Sequence, residues 1–245
     1  MTSEFGSLEF SFAELPKKVF VTGTDTGVGK TVVSCAILLK SAIETGQTPA
    51  YLKPAQTGVA AGEGDAAFVR KLFEQCEIDV DIEVPYELAE ALAPLVAAER
   101  AGKDLDTNVV ASVFAELAES HEVVVVEGAG GLLVPFAPGV LMADLASVLG
   151  LPVVITCSPL LGTLNHSRLT VESALARGLE VVGVVISGWP AHPGIAEETN
   201  RERLADFTGV PLLGVIPEIA GLDTEAPNAL ALKALAGDLR KSDEN

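Results

Sequence analysis

"VTGTDTGVGKT", Val21 to Thr31, follows the apolar "KVF" and runs straight into "KTVVSCAILLKSAIETG". This order reads as a short buried strand, a glycine-rich turn and a helix, with Gly46 where a helix C-terminal glycine belongs. Glycines in such a turn let backbone N–H groups point at phosphate oxygens, and the helix N-terminus adds unpaired donors and a favourable dipole. Lys30 is placed to neutralise β- and γ-phosphates, and the Thr31 hydroxyl to ligate Mg²⁺. The spacing is Gly-x5-Gly-Lys-Thr, one residue longer than the usual Gly-x4-Gly-Lys-Thr, with Thr24 standing where the first motif glycine would be.

Further aliphatic runs lie on either side of this loop's helix and beyond. "TPAYLKP" follows the helix, and "EVVVVEGAGG", "LPVVITCS", "LEVVGVVISG" and "VPLLGVIP" come later, each ending in Gly, Pro or Ser and separated by helical stretches. Continuous aliphatic strands alternating with helices predict an α/β fold of the P-loop NTPase type, a mostly parallel central sheet flanked by helices on both faces. "AQTGVAAGEG" reads as an exposed loop before a helix starting near Asp65, Thr107 as the cap of the helix "TNVVASVFAELAES", and residues 78–106 give mixed signals. A length of 245 residues without a linker or charge block predicts one domain, residues 17–245, after an acidic N-terminal extension, residues 1–16. That extension has no long apolar core, so it reads as neither signal peptide nor membrane helix.

The chain carries 34 acidic and 16 basic residues, a formal charge of −18. Such a surface repels nucleic acid and anionic membranes, leaving small molecules as the expected partners, while a local phosphate site remains compatible with it. Three unclustered cysteines, Cys35, Cys76 and Cys157, suit a reducing, cytoplasmic setting.

In parallel α/β sheets ligands gather at the carboxyl ends of the strands. Glu127 ends the run "VVVVE" and is placed for Mg²⁺ bound to a nucleotide, whereas for Asp65, at the start of a helix, composition alone favours a helix N-cap. Lys53 ends a strand beside Pro54, and a second cation near Lys30 suits an anion formed next to the γ-phosphate. Two lysines exceed what nucleotide hydrolysis alone requires and point to a negatively charged second reactant. "SPLLGTLNHSRLT" passes from a strand end into a helix, and free N–H groups at Gly162, Thr163, Leu164 and Asn165 are available to a carboxylate. His166 reads as polar packing or a helix-start bond; Trp189 reads either as packing near a base or as a surface anchor.

"GTDTGVGKT", "LKPAQTG", "VEGAGGLLVP" and "LGTLNHSRLT", in this order and spacing, resemble the dethiobiotin synthetase family from about Lys17 to Leu230. The resemblance implies an ATP- and Mg²⁺-dependent cyclo-ligase of biotin biosynthesis, a homodimer, acting on 7,8-diaminononanoate and CO₂. It implies Thr31, Asp65 and Glu127 as Mg²⁺ ligands, Lys53 as catalytic with Lys30 and Thr26 near the phosphates, and Thr57 as a substrate-contacting hydroxyl. Nucleotide contacts are expected at Gly27, Val28, Gly29, Lys30, Thr31 and Val32, at Gly188 and Trp189, and at Pro217, Glu218 and Ile219. The Gly162–Asn165 turn is expected to receive the substrate carboxylate of the neighbouring subunit. Two departures stand out. Gly188 occupies the place of an asparagine that reads adenine in many members, which implies acceptance of other nucleoside triphosphates; Gly27 stands where relatives can carry an acid.

Two other classes fit parts of the pattern. A partitioning-type ATPase switch carries an extra lysine early in the loop, where this chain has Gly23 and Thr24, and a GTPase switch carries Asn-Lys-x-Asp, which is absent from the sequence.

Overall fold

The computed structural model describes residues 15–59, 64–220, 229 and 231–233. Most of the expected N-terminal extension, residues 1–14, lies outside the described residues, as do residues 60–63 of the loop before Asp65. The elements run β1 (Lys18–Gly23), α1 (Lys30–Thr45), β2 (Ala50–Leu52), β3 (Ala55–Thr57), α2 (Asp65–Gln75), β4 (Asp81–Glu83) and β5 (Tyr86–Leu88). They continue with α3 (Pro94–Ala101), α4 (Thr107–Ser120), β6 (Val124–Gly131), β7 (Pro135–Ala137), β8 (Val140–Leu141) and α5 (Met142–Val148). The last are β9 (Val153–Cys157), α6 (Thr163–Leu175), β10 (Val181–Trp189), α7 (Ile195–Thr208) and β11 (Leu212–Pro217).

Seven strands form one sheet in the order β11-β10-β9-β1-β6-β2-β4, and every adjacent pair is parallel. The expected sheet is therefore present. Side chains alternate across it with the period of a strand. Val19 and Val21 of β1 pack with Val33, Leu38 and Leu39 of α1 and with Val69, Leu72 and Phe73 of α2. Phe20, between them, packs on the opposite face with Val110 and Leu117 of α4, Met142 and Leu145 of α5, and Val171 and Ala174 of α6. Helices thus cover both faces, which is why the central strands are aliphatic without polar alternation. The chain leaves β1 toward β2 on one side and later reaches β9 on the other, so β1 marks the switch point where a crevice opens at the strand ends.

Three local expectations change. Residues 55–57 are not exposed loop but β3, which pairs in parallel with β5 and buries Ala55 and Gln56. The mixed stretch 78–106 resolves into the short strands β4 and β5 and the helix α3, each too brief for a periodic pattern to emerge. Asp106, not Thr107, caps α4: its carboxylate accepts from the Asn108 N–H at 2.8 Å, and Thr107 is already the first helical residue. Among the described residues, no helix is long and apolar enough to cross a membrane.

Candidate active site

A cavity of about 720 Å³ opens at the carboxyl ends of β1, β6, β9, β10 and β11, between the glycine loop and the start of α2. The loop residues Thr26 to Val32 form one wall. Gly29 caps α1 in the left-handed region, at φ 90°. A Cβ built there would run into Ser187 at the end of β10, so the loop lies against that strand only because residue 29 has no side chain. At Thr24, the extra residue of the loop, the backbone N–H donates to the Thr156 carbonyl of β9 at 2.9 Å.

Strand register gathers the charged groups. Tyr51 pairs with Val125 and Leu52 with Val126, so Lys53 follows beside Glu127, while Val21 of β1 pairs with Glu127 from the other side. Glu127 sits within β6, four residues before its end, rather than at the strand tip expected from the sequence, and is fully buried. A buried carboxylate must be paired and hydrogen-bonded. Its Oε1 accepts from Lys53 Nζ at 2.8 Å and lies 2.9 Å from Thr31 Oγ1; its Oε2 accepts from Ser34 Oγ at 2.9 Å and Tyr51 OH at 3.0 Å. Lys53 also pairs with Asp65 Oδ2 at 2.6 Å and donates to the Gly128 carbonyl at 3.2 Å.

Lys53 therefore does not snorkel to solvent; it is 3% exposed. Burial alone would lower its pKa, but Glu127 and Asp65 outweigh that and the net direction is up, so the side chain stays an ammonium near neutrality. For Asp65 burial pushes the carboxyl up and Lys53 pulls it down; the net direction is down. Burial holds Lys30 below its ordinary value against the pull of Glu127, and its ammonium donates to the Asp25 carbonyl at 3.0 Å. Burial and the Glu127 charge push the Tyr51 phenol well up, which keeps it a donor.

Thr31 Oγ1 lies 2.9 Å from both Asp65 Oδ1 and Glu127 Oε1. A hydroxyl has one proton, so it satisfies one carboxylate at a time, and three hard oxygens converge where a divalent cation suits them. Among the described residues no cluster of three or more His, Cys, Asp or Glu forms a metal cage. Two carboxylates and a hydroxyl fit Mg²⁺, which keeps substrate phosphates and water among its ligands.

Most of the residues singled out in the sequence line this one cavity: Lys30, Thr31, Lys53, Thr57, Asp65 and Glu127, together with Gly188 and the segment Pro217–Ile219. Gly188 has φ 81° and nothing within 4 Å of a built Cβ. Two of the expected regions do not line this cavity. Trp189 does not line the cavity; its side chain packs in the core, with the Arg201 guanidinium 5.8 Å from the ring centroid. Gly188 takes a positive φ at a register irregularity between Ser187 and Trp189, and beyond it the Trp189 side chain lies in the core rather than in the cavity. The Gly162–Asn165 turn also lies outside the cavity wall: Gly162 caps α6 at φ 99°, Thr163 is buried, and Asn165 faces outward next to the exposed Leu160 and Leu161. Ser34, Tyr51 and Ser187 were not singled out in the sequence. The available signal was spacing: Ser34 shares the Thr31 face of α1 at i+3, and Tyr51 precedes Lys53 by two residues.

A parallel sheet with a glycine loop at its switch point, a lysine and threonine opening the next helix, and carboxylates from within β6 and the start of α2 beside them defines a P-loop nucleotide-dependent protein. A family model described as an AAA domain matches residues 17–226. The ATP-dependent dethiobiotin synthetase BioD of Saccharopolyspora erythraea is 46% identical over 221 residues, 88% of this chain and 94% of that one. The protein of the same name from Bacillus licheniformis is 38% identical over 208 residues, 83% of this chain and 86% of that one. The chain belongs to the dethiobiotin synthetase family. In solved structures it resembles the cell division ATPase MinD of Pyrococcus furiosus (TM-score 0.54, 19% identity, 93% of this chain and 100% of that one). It likewise resembles a ParA family ATPase of Chlorobium tepidum (TM-score 0.55, 11% identity, 92% and 94%). At those identities the likeness concerns the fold alone.

Proposed function

We infer that the protein closes a cyclic urea on 7,8-diaminononanoate with CO₂ and ATP, giving dethiobiotin, ADP and phosphate. It is an ATP-dependent ligase of biotin biosynthesis. The observation that carries the reading is a second buried ammonium, Lys53, within the cavity that holds the phosphate loop and its Lys30. A nucleotide switch has no use for it; a reactant that becomes anionic beside the γ-phosphate does.

One substrate amine takes up CO₂ and becomes a carbamate. Its oxygen attacks the γ-phosphorus, ADP leaves, and a carbamic–phosphoric anhydride results. The second amine then attacks the carbonyl carbon, phosphate departs with the bridging oxygen, and the five-membered ring closes. Two anions must meet in the first transfer, and Lys30 and Lys53 offset their repulsion. The raised pKa of Lys53 supports a charge-stabilising role and argues against a general base. Thr31, Asp65 and Glu127 would hold Mg²⁺, which when bound screens the β- and γ-phosphate oxygens. Thr26 and Thr57 line the same cavity and supply hydroxyls for orientation.

Residues 17–245 are proposed to act as one domain, in a cytoplasmic homodimer. Supporting the dimer, the Gly162–Asn165 turn lies outside its own chain's cavity, and Leu160 and Leu161 beside it are 60% and 87% exposed. Association through these leucines would carry the turn to the partner's substrate. Mixing the protein with diamine, bicarbonate, Mg²⁺ and ATP tests the function: phosphate release must depend on the diamine, and release indifferent to it would point to a switch ATPase.

Gly188 carries a further expectation. It offers no side chain to the base edge, and a lost neutral hydrogen bond is worth about 0.5–1.5 kcal/mol. ATP, CTP and GTP should therefore support turnover with kcat/KM values within about tenfold of one another. Gly188→Asn, a residue that tolerates positive φ, should shift the ratio toward ATP. A strong ATP preference in the unaltered protein would contradict this.

The extra loop residue leads to another. Its N–H is tied to the Thr156 carbonyl of β9, and the added residue would widen the loop beside the γ-phosphate of a bound nucleotide. Deleting Thr24 should lower ring closure by about 10²-fold while nucleotide affinity falls far less. Equal losses in kcat and in nucleotide Kd would count against a special role for the longer loop.

A further inference from the structure

We propose that Ser34 and Tyr51 are positioning residues that aim the Glu127 carboxylate at the metal, an inference that rests on the Mg²⁺ assignment of Thr31, Asp65 and Glu127. The two carboxylate oxygens of Glu127 have different surroundings. Oε2 accepts from two neutral hydroxyls, Ser34 Oγ at 2.9 Å and Tyr51 OH at 3.0 Å, while Oε1 faces Thr31 and Lys53. Ser34 and Tyr51 are fully buried and line no part of the cavity, so neither touches a ligand there.

Both belong to elements that also carry a cavity residue. Ser34 lies one helical turn behind Thr31 on the same face of α1, and Tyr51 lies two residues before Lys53 on the same face of the β2 segment. The pairs meet at Glu127 from two sides. A carboxylate with one oxygen held by two donors cannot rotate about its last bond without breaking both. Its free lone pairs are thereby fixed toward Thr31 Oγ1. Neutral hydroxyls orient the acid without offsetting its charge further than Lys53 already does at Oε1.

A purely structural reading has the hydroxyls satisfying a buried acid and nothing more. Calorimetric titration of Mg²⁺ into the full chain saturated with a non-hydrolysable ATP analogue separates the two. Tyr51→Phe, which keeps the ring and removes one donor, should raise the Mg²⁺ Kd by about 10–100-fold. Binding of the same analogue in EDTA should be unchanged. Ser34→Ala should act in the same direction and serves where Tyr51→Phe does not fold. If Glu127→Gln weakens Mg²⁺ but neither hydroxyl variant does, the positioning role is overturned and the metal assignment stands. Equal weakening with and without Mg²⁺ overturns it in favour of a structural role. If Glu127→Gln itself leaves the Mg²⁺ Kd unchanged, the metal assignment fails and the inference with it.

Discussion

Lys53→Met is expected to cut diamine-dependent phosphate release by about 10²–10³-fold, the scale of losing one preorganised charge-stabilising donor. Nucleotide affinity should change little, because the phosphate loop and Lys30 remain. Two effects should appear together. Loss of the ammonium removes the cation that meets the incoming carbamate. It also strands two acids, since Lys53 Nζ lies 2.6 Å from Asp65 and 2.8 Å from Glu127. Removing one partner of a buried pair costs about 3–5 kcal/mol. Glu127 retains Ser34 and Tyr51 as donors, with the Thr31 proton shared between it and Asp65, which places the expected loss near the lower end, about 3 kcal/mol. Thermal melts should show that loss without Mg²⁺ and a partial recovery with Mg²⁺ and nucleotide, as a second cation takes over between the carboxylates. A variant with normal stability and normal turnover would show that the lysine serves neither purpose.

Gly29→Ala should lower nucleotide affinity by about 10²-fold, from two costs that add. A residue with a Cβ in the left-handed region costs about 1–2 kcal/mol. Steric overlap in a packed region costs about 1–3 kcal/mol more, and here the Cβ meets the Ser187 side chain. The combined cost, roughly 3 kcal/mol, corresponds to about two powers of ten in Kd. Relief can be tested directly: adding Ser187→Gly to Gly29→Ala should restore the steric share and leave the backbone share. If the double variant binds nucleotide no better than Gly29→Ala alone, contact with β10 is not what constrains the loop.

The long aliphatic strands β1, β6, β9, β10 and β11 were legible in the sequence because burial on both faces leaves an uninterrupted apolar run. The phosphate loop was legible for a different reason: its glycines, lysine and threonine carry the chemistry locally. β3 and β5 were not legible. Each has three residues, and each pairs with a segment about thirty positions away, so no local signal marks them. Ser34 and Tyr51 resembled ordinary occupants of an apolar helix and strand, and only the meeting of α1, β2 and β6 shows a carboxylate between them. Trp189 adjoins the cavity-lining Gly188 in sequence while its side chain lies in the core, because β10 departs from regular register between Ser187 and Trp189, which no sequence pattern marks. The Gly162–Asn165 turn shows the limit of reading one chain, since its proposed ligand lies with another copy.

The path of one oxygen atom tests the central claim most directly. With CO₂ supplied as ¹⁸O-labelled bicarbonate together with the diamine, Mg²⁺ and ATP, the carbamate oxygen that attacks the γ-phosphorus leaves with the phosphate. Mass spectrometry of the released phosphate should then find one oxygen derived from CO₂ for each ring closed. Phosphate whose new oxygen comes only from water would mean that no carbamate ever met the triphosphate, and would contradict the mechanism built on Lys30, Lys53 and the carboxylates beside them.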